Sequence, residues 1–428
     1  MKRLKVITLG CSKNSVDTEH LLAALPADGF VVAEEGPLDY LLYNTCGFIG
    51  DAKEESIQAI FEGVEAKRRG ETRELLVFGC LSERYAAQMP ELIPEVDAWF
   101  GARDLNPLLK YLGAPASRFI RRRQERRRGY AYLKISEGCD RRCSYCAIPF
   151  IRGPHKSVPV EDLVSEATQL ASEGVSELLL IAQDTTFYGL DLYGRRALAD
   201  VLKALSEVDG IERLRIHYSY PSEFPEDVLD QMATNPKVCK YLDIPLQHIS
   251  DGVLDNMHRH IDAAGTRRII NRLREKVPGV VLRTTMIVGH PGEGEAEFRE
   301  LLDFVREARF ERLGAFMYSE EEGTWGAEHL MDIIPEEEKR RRLDELMTLQ
   351  SEISLEFNRS RVGSIERVLV DDVVGDTLVC RSQYESPEVD GEILVPAAAA
   401  DIIGRYLTVR ITEADEYDLK AVVTPPAD

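Results

Sequence analysis

Residues 133–153 read LKISEGCDRRCSYCAIPFIRG, and this stretch decides how the rest of the chain is arranged. It opens as an apolar strand, and after Gly138 three cysteines, Cys139, Cys143 and Cys146, fall within eight residues. A closed tetrahedral metal site takes four ligands. The next cysteine is Cys239, so either a histidine such as His155 closes the site or one position stays open for chemistry. The C-x3-C-x2-C spacing differs from the C-x2-C pairs of structural zinc, while soft thiolates suit zinc and iron–sulfur clusters alike. A four-iron cubane on three cysteines leaves one iron free to bind something else.

From that first strand the pattern repeats. AYLKIS, ELLLIA, RLRIHYS, YLDIPL, VVLRTTMIV and RLGAFMYS read as strands separated by helical stretches, and a long charged helix, PEEEKRRRLDELMTLQSEISLEF, closes the series. Strand–helix alternation builds a parallel sheet. Six such units fall short of the eight that close a full barrel, so residues 130–358 read as an open, partial (βα)6 barrel. Polar groups serving its site belong at the carboxyl ends of the strands, which nominates Gln183, Asp184, His217, Tyr218, Gln247, His248 and Gly289. Each has an ordinary alternative as a cap, a core hydrogen bond or a strand end. His217, inside LRIHYSY, reads equally well as an interior histidine.

Upstream, residues 1–115 form a second parallel α/β unit. KVITL, YLLYN and LLVF are its strands, VDAWF is a weaker fourth, and DAKEESIQAIFEGVEAKRRG is a helix in which Asp51 is expected to N-cap. Cys11, Cys46 and Cys80 each end a strand: VITLGC, LLYNTC and LLVFGC. A lone cysteine is usually a small buried hydrophobe, which suffices for Cys239 and Cys380. Three at equivalent strand ends converge on the one sheet edge where ligands bind, making a second open three-thiolate site.

Residues 116–129 hold seven arginines between Arg118 and Arg128, a linker or a phosphate-facing patch. Residues 359–428 change character again, with SIERVLVDDVVGDTLVCRSQ, GEILV, RYLTVRIT and DLKAVVT giving about five short strands. A small antiparallel barrel of the oligonucleotide-binding type fits. From Gly363 onward it carries fourteen acidic and five basic residues, so much of its surface repels phosphates.

The whole chain has 428 residues and a formal charge of −21, which argues against non-specific nucleic-acid coating and favours a basic protein partner. No stretch is apolar enough for a membrane span, and MKRLKVITLGC enters a strand directly, so a cytoplasmic location is expected. Eight cysteines in a chain this long point to metal or redox chemistry rather than a disulfide framework.

The stretch around Cys139, Cys143 and Cys146 resembles the signature of radical S-adenosylmethionine enzymes. The resemblance implies a 4Fe–4S cluster there, S-adenosylmethionine chelated to its open iron, and Tyr145 beside the adenine; the strand-end residues Gln183, Asp184, Gln247, His248 and Gly289 are the further cofactor contacts expected from their position. The layout with Cys11, Cys46 and Cys80 resembles the methylthiotransferases, which carry a second 4Fe–4S cluster on those cysteines and end in a TRAM domain. LGCSKNSVDTE, NTCGFI, GCLSERY, IAQDTTFYG and RSQYESPEVDG are similar to the branch that modifies an aspartate β-carbon of the twelfth small-subunit ribosomal protein. The sister branch, which modifies tRNA adenosine, usually reads differently at these places. The resemblance further implies an electron donor of the flavodoxin or ferredoxin type. His290 and Gly294 stand where the family more often has Phe and Thr, and Trp325–Gly326 where small residues are usual. Glu385, Glu388, Asp390 and Glu392 are the acids expected to meet the basic substrate.

Overall fold

The computed structural model describes residues 1–34, 36–124, 128–396 and 402–424. The first unit is a five-stranded parallel sheet in the order Phe30–Val32, Lys2–Thr8, Leu38–Thr45, Thr72–Gly79, Ala98–Trp99. Helices cover both faces, and buried Leu4, Leu42, Leu76 and Phe78 pack on one side while Leu41, Tyr43, Leu75 and Val77 pack on the other. This two-sided burial is why the strands read as continuous apolar runs. The edge strand Phe30–Val32 was not foreseen, since three residues carry too little pattern. The helix Gly50–Arg68 is capped from Ile49, with no side-chain cap, so Asp51 sits in the first turn instead of capping it. There it still complements the helix dipole.

The second unit is an open sheet of six parallel strands whose order in space follows the chain: Tyr130–Lys134, Glu177–Ile181, Arg213–Ile216, Val238–Asp243, Val281–Val288, Arg312–Met317. Alternation along each strand separates two faces. Leu133, Leu178, Leu180, Leu214, Ile216, Leu242 and Leu282 face the helices and form the largest core. The other face carries the buried polar groups Glu177, Arg213, Arg215, His217 and Asp243 beside apolar Leu179 and Ile181. Between the fourth and fifth strands lie two helices, Asp251–Asn256 and Ala263–Lys276.

The third unit is a closed five-stranded barrel, Ile365–Val374, Thr377–Arg381, Ile393–Pro396, Leu419–Val423 and Tyr406–Ala414. Its pairs are antiparallel except that Ile393–Pro396 runs parallel to Leu419–Val423. Residues 381–390 lie against the face of the six-stranded sheet that carries its buried polar groups. Arg381 Nη1 meets Glu177 Oε1 at 3.3 Å, Arg215 Nε meets the same oxygen at 2.9 Å, and Tyr241 donates to Asp390 Oδ2 at 2.7 Å. Burial alone would raise the Glu177 carboxyl, but Arg381 and Arg215 hold it down to about 2. The His217 Nε2–Ser386 Oγ contact is 2.9 Å, and burial lowers this histidine to about 3, so it is a neutral interior residue.

This seat corrects the expectation for the acidic patch. Glu385 is buried, with Arg312 Nη2 at 3.1 Å and Arg361 closer still, and Asp390 is held by Tyr241 and, at 3.5 Å, by Arg283. Glu388 accepts from Arg128 Nη1 at 2.8 Å and from Tyr132 at 3.0 Å. Of the four acids only Glu392 is exposed and outside these ion pairs and hydrogen bonds; the others attach the barrel.

The arginine run also behaves as a strap. Arg122 is buried, tied to Glu19 of the first unit and at 3.0 Å to Glu166 of the second, while Arg118 and Arg128 pair with Asp162 and Glu388. Arg126 and Arg127 lie outside the described residues.

Two cysteine triads joined by an arginine

Cys11, Cys46 and Cys80 follow neighbouring parallel strands and come together at one sheet edge. Gly10 has φ +87°, and a Cβ there would lie 2.7 Å from the Cys46 Cβ. Gly79 has φ +108°, and its Cβ would lie 2.5 Å from Asn44 Oδ1. Both glycines before cysteines are therefore required by backbone conformation and close approach. Cys11 is exposed at the start of the helix Ser12–Ala24, whereas Cys46 and Cys80 are buried.

The second triad sits on a loop pinned at its base by a two-stranded ribbon, Ser136–Glu137 with Lys156–Ser157. Within it Cys139 N–H donates to Gly153 O at 3.0 Å and Cys146 N–H to Cys143 O at 3.1 Å. Gly138, at φ +74°, could not carry a side chain: its Cβ would lie 2.1 Å from Pro154 O. Arg259 Nη1 points at Cys143 Sγ from 3.5 Å, and Tyr220 Oη is 4.0 Å from the same sulfur.

Arg152, in the short helix Ile148–Arg152 at the end of this loop, connects the triads. Its Nε donates to Cys80 Sγ at 3.2 Å, Nη2 to Asn14 Oδ1 at 2.6 Å, and Nη1 to Asp17 Oδ2 at 2.7 Å and Glu137 Oε2 at 3.2 Å. Lys134 completes the pairing of Asp17 and Glu137. Burial raises the Glu137 carboxyl, yet Lys134 and Arg152 outweigh it and bring it to about 2.

These donor sets fit iron–sulfur clusters. Burial pushes the Cys139 thiol up to about 12 and the Cys80 thiol up to about 11, so their thiolates need positive partners. Arg141 beside Cys139 and Arg152 beside Cys80 supply part of that charge, and cluster iron would supply the rest. Among the described residues no three His, Cys, Asp or Glu side chains gather tightly enough for a single metal ion. A cubane spreads its thiolates over a wider triangle than one zinc ion does. His155 does not close the site: its Nε2 lies 3.0 Å from Ser157 Oγ, and its ring packs edge-on to Phe187.

The nominated strand-end residues divide into two groups. Asp184 is fully engaged, accepting from Arg141 Nε at 2.9 Å and capping Thr186 N–H at 2.9 Å, so it holds the cysteine loop. Gly289, at φ +74°, makes room for Lys339, whose Cγ would be 2.3 Å from an added Cβ. Tyr218 lies under Lys13 Nζ, 3.5 Å from the ring centroid. By contrast, buried polar atoms without partners collect near Tyr145, namely His290 Nε2, Tyr318 Oη and Ser144 Oγ, and the strand-end Gln247 likewise keeps a buried Oε1 without a partner. The His290 ring stands edge-on to Tyr145 at 6.3 Å and to Tyr318 at 4.8 Å. His248 Nε2 lies 3.2 Å from Glu293 Oε2 but off the line of a hydrogen bond. Gln183 donates to Glu137 at 2.9 Å and keeps its buried Oε1 free. Unpaired buried polar atoms are costly, and their concentration here fits a polar cofactor such as S-adenosylmethionine.

Arg152, Arg259, Asn14, Asp17 and Tyr220 were not foreseen. Asn14 and Asp17 come from the helix Ser12–Ala24 that follows Cys11, while Arg152, Tyr220 and Arg259 each arrive from a different segment, and no periodicity links the three segments.

Comparison with known proteins agrees with this geometry. Residues 133–305 match the radical SAM superfamily, residues 3–101 an uncharacterized protein family, UPF0004, and residues 362–424 the TRAM domain. The ribosomal protein uS12 methylthiotransferase RimO of Porphyromonas gingivalis is 50% identical over 98% of this chain and 98% of its own length. Its counterparts in Bacteroides thetaiotaomicron (99% of this chain, 98% of theirs) and Flavobacterium johnsoniae (97% of both) are each 47% identical. Among solved structures, the radical S-adenosylmethionine methyltransferase TsrM of Kitasatospora setae shares the fold, with a TM-score of 0.57 at 16% identity, covering 74% of this chain and 72% of that one. The chain belongs to the RimO family of radical S-adenosylmethionine methylthiotransferases.

Proposed function

We propose that this enzyme replaces a hydrogen on the β-carbon of an aspartate in ribosomal protein uS12 with a methylthio group. The observation that carries the reading is the pairing of two open cysteine triads, one on each parallel sheet, through Arg152 to Cys80. Cys139, Cys143 and Cys146 would hold one 4Fe–4S cluster, and Cys11, Cys46 and Cys80 a second. When bound, these groups and S-adenosylmethionine supply one-electron cleavage of the sulfonium, a hydrogen-abstracting radical, and a sulfur to which a methyl is added; one S-adenosylmethionine serves as methyl donor and another as radical source.

The protein's own contribution is placement. Asp184 fixes Arg141 and with it the loop of Cys139. His290, Tyr318 and Ser144 near Tyr145, together with Gln247, Gln183 and His248, would offer their unpaired polar atoms to S-adenosylmethionine. Arg152 keeps the Cys80 side of the second site at a fixed distance from the first. An unactivated β-carbon holds its proton too firmly for the carboxylates and imidazoles here, which is why the residues position rather than act as bases.

The reaction needs an electron donor of the flavodoxin or ferredoxin type and a sulfur source, and a ribosomal substrate places it in the cytoplasm. No helix among the described residues is long and apolar enough to cross a membrane. The test is anaerobic reconstitution followed by iron and sulfide counting. About eight irons per chain, falling to about four when Cys139, Cys143 and Cys146 become Ala, is the expected result. The holoenzyme should then add a methylthio group to uS12, seen by mass spectrometry, and leave tRNA nucleosides unchanged. About four irons falling to none, or a methylthio group in the tRNA digest, refutes the reading.

A further inference from the structure

The segment after the last strand of the six-stranded sheet, residues 316–337, reads FMYSEEEGTWGAEHLMDIIPEE. It contains seven acidic residues and neither Lys nor Arg. Four of its large apolar side chains point into solvent: Phe316 is 57% exposed, Trp325 40%, Met331 81% and Ile333 77%. Such a density of exposed apolar groups is unusual on a surface with no partner. Glu320, Glu322, Glu328, Glu336 and Glu337 are exposed among them.

The segment is rigidly attached beside both cysteine triads. Gly326 N–H donates to Ser144 O at 2.7 Å, on the loop between Cys143 and Cys146, and a Cβ at Gly326 would lie 3.0 Å from that oxygen. Glu321 is buried and accepts from Arg84 Nη1 at 2.8 Å and Lys53 Nζ at 2.9 Å, both from the first unit. Trp325 is held between the rings of His258, at 4.3 Å, and His329, at 4.6 Å and nearly parallel. Anchors of this kind, pre-ordered in the free protein, lose little entropy on binding.

We infer that residues 316–337 are the docking surface for the basic protein substrate, with Trp325, Met331 and Ile333 as apolar anchors and the surrounding carboxylates meeting its Lys and Arg side chains. This rests on the reading of uS12 as substrate and adds where it is recognised. Charge complementarity selects the occupant. Glu321, Asp332 and Glu336 are paired with cations outside the segment, but exposed Glu320, Glu322, Glu328 and Glu337 make no ion pair among the described residues. They would repel a nucleic acid and steer a lysine- and arginine-rich protein toward them. Apolar anchors at the centre of a polar rim are the usual carriers of binding energy. On the C-terminal barrel Glu385, Glu388 and Asp390 are engaged in attaching it, and the acids it still exposes, among them Asp376, Glu392 and Glu413, are the alternative that the control below tests.

The test uses the reconstituted full-length enzyme and purified uS12. E320K/E322K/E328K and M331S/I333S are compared with a control, D376K/E392K/E413K, that reverses exposed charges on the C-terminal barrel. Binding is read by fluorescence anisotropy at several salt concentrations, and turnover by mass spectrometry. The segment variants are expected to bind uS12 at least tenfold more weakly, with KM raised, kcat largely retained and iron content unchanged. The charge variant should also show a shallower dependence of Kd on salt, and the control should bind within about twofold of wild type. If wild type modifies uS12 while both segment variants bind it normally, or the control weakens binding as much as they do, the docking surface is refuted and the function stands. If wild type neither binds nor modifies uS12, the substrate reading fails and the docking surface with it.

Discussion

Replacing Arg152 separates the two triads without touching a cysteine. Its guanidinium is buried and makes four polar contacts, three across the boundary to Cys80, Asn14 and Asp17 of the first unit and one to Glu137 of its own. Removing one member of a buried ion pair costs about 3–5 kcal/mol because the other charge is left behind. Here Lys134 remains to serve both Asp17 and Glu137, which places Arg152→Ala near the low end, at about 3 kcal/mol. Arg152→Lys keeps a charge for Asp17 but cannot reach Cys80 and Asn14 together, since an ammonium lacks the planar fork. Its cost is about 1–2 kcal/mol, the price of the hydrogen bonds lost. The assay is anaerobic urea unfolding of the reconstituted enzyme, with electron paramagnetic resonance of the reduced protein in the Cys139, Cys143, Cys146→Ala background so that only the second site contributes. The expected outcome is graded destabilisation together with an altered spectrum, Lys lying between Ala and wild type. Arg152→Ala with wild-type stability and an unchanged spectrum would refute the argument that this residue ties the sites together.

Three other perturbations follow from the same geometry. Glu385→Ala leaves the Arg312 guanidinium without a carboxylate while Glu366 still pairs Arg361, so it should cost about 3 kcal/mol, exposing the chain near residue 361 to limited proteolysis while leaving uS12 affinity unchanged. Unchanged stability with weakened uS12 binding would instead restore Glu385 as a docking residue. His217 is lowered by burial from 6.5 to about 3. Above its ordinary value both folded and unfolded chains hold it neutral, and below it only the unfolded chain takes up the proton. Stability therefore falls as pH drops through that window, by about 1.4 kcal/mol per pH unit from this residue. His217→Gln should flatten the slope measured by denaturant unfolding between pH 7.5 and 5.5, and an identical slope would rule the histidine out. Gly138→Ala must move a positive-φ backbone away from Pro154 O, so it should cost about four irons per chain while the iron on Cys11, Cys46 and Cys80 is retained. Full iron content in that variant would contradict the tight loop.

Much of the fold was legible because repetition protects against local error. All six strands of the second sheet carry enough buried aliphatic residues to be read singly, and their parallel order follows from alternation with helices. The cysteine triads were legible for a different reason. Cys11, Cys46 and Cys80 occupy equivalent positions in a repeated unit, so position alone brings them together. The three-residue strand Phe30–Val32 and the uncapped start at Ile49 lacked any such repetition. Arg152 was hidden in plain view within IPFIRG, because one arginine in a chain rich in them has no periodicity to betray a buried role.

The C-terminal barrel shows where composition misleads. Its excess of acids is real, and as a net charge it predicts attraction to a basic partner. Net charge, however, sums groups that solvent sees and groups that it does not. Glu385 is surrounded by Arg312, Arg361 and Ser382, and Glu177 on the opposing sheet by Arg215 and Arg381, so acid and base alternate across one buried seam. Half of that seam lies in each unit, and counting the barrel alone records its acids while missing the arginines that neutralise them. The same count over residues 316–337 is more informative, because five of the seven acids there are exposed, and the exposed apolar side chains sit among them. A charge excess identifies a docking surface only where the charges face water and stand at the site, and the segment 316–337 meets the second condition through the hydrogen bond from Gly326 to Ser144 on the cysteine loop.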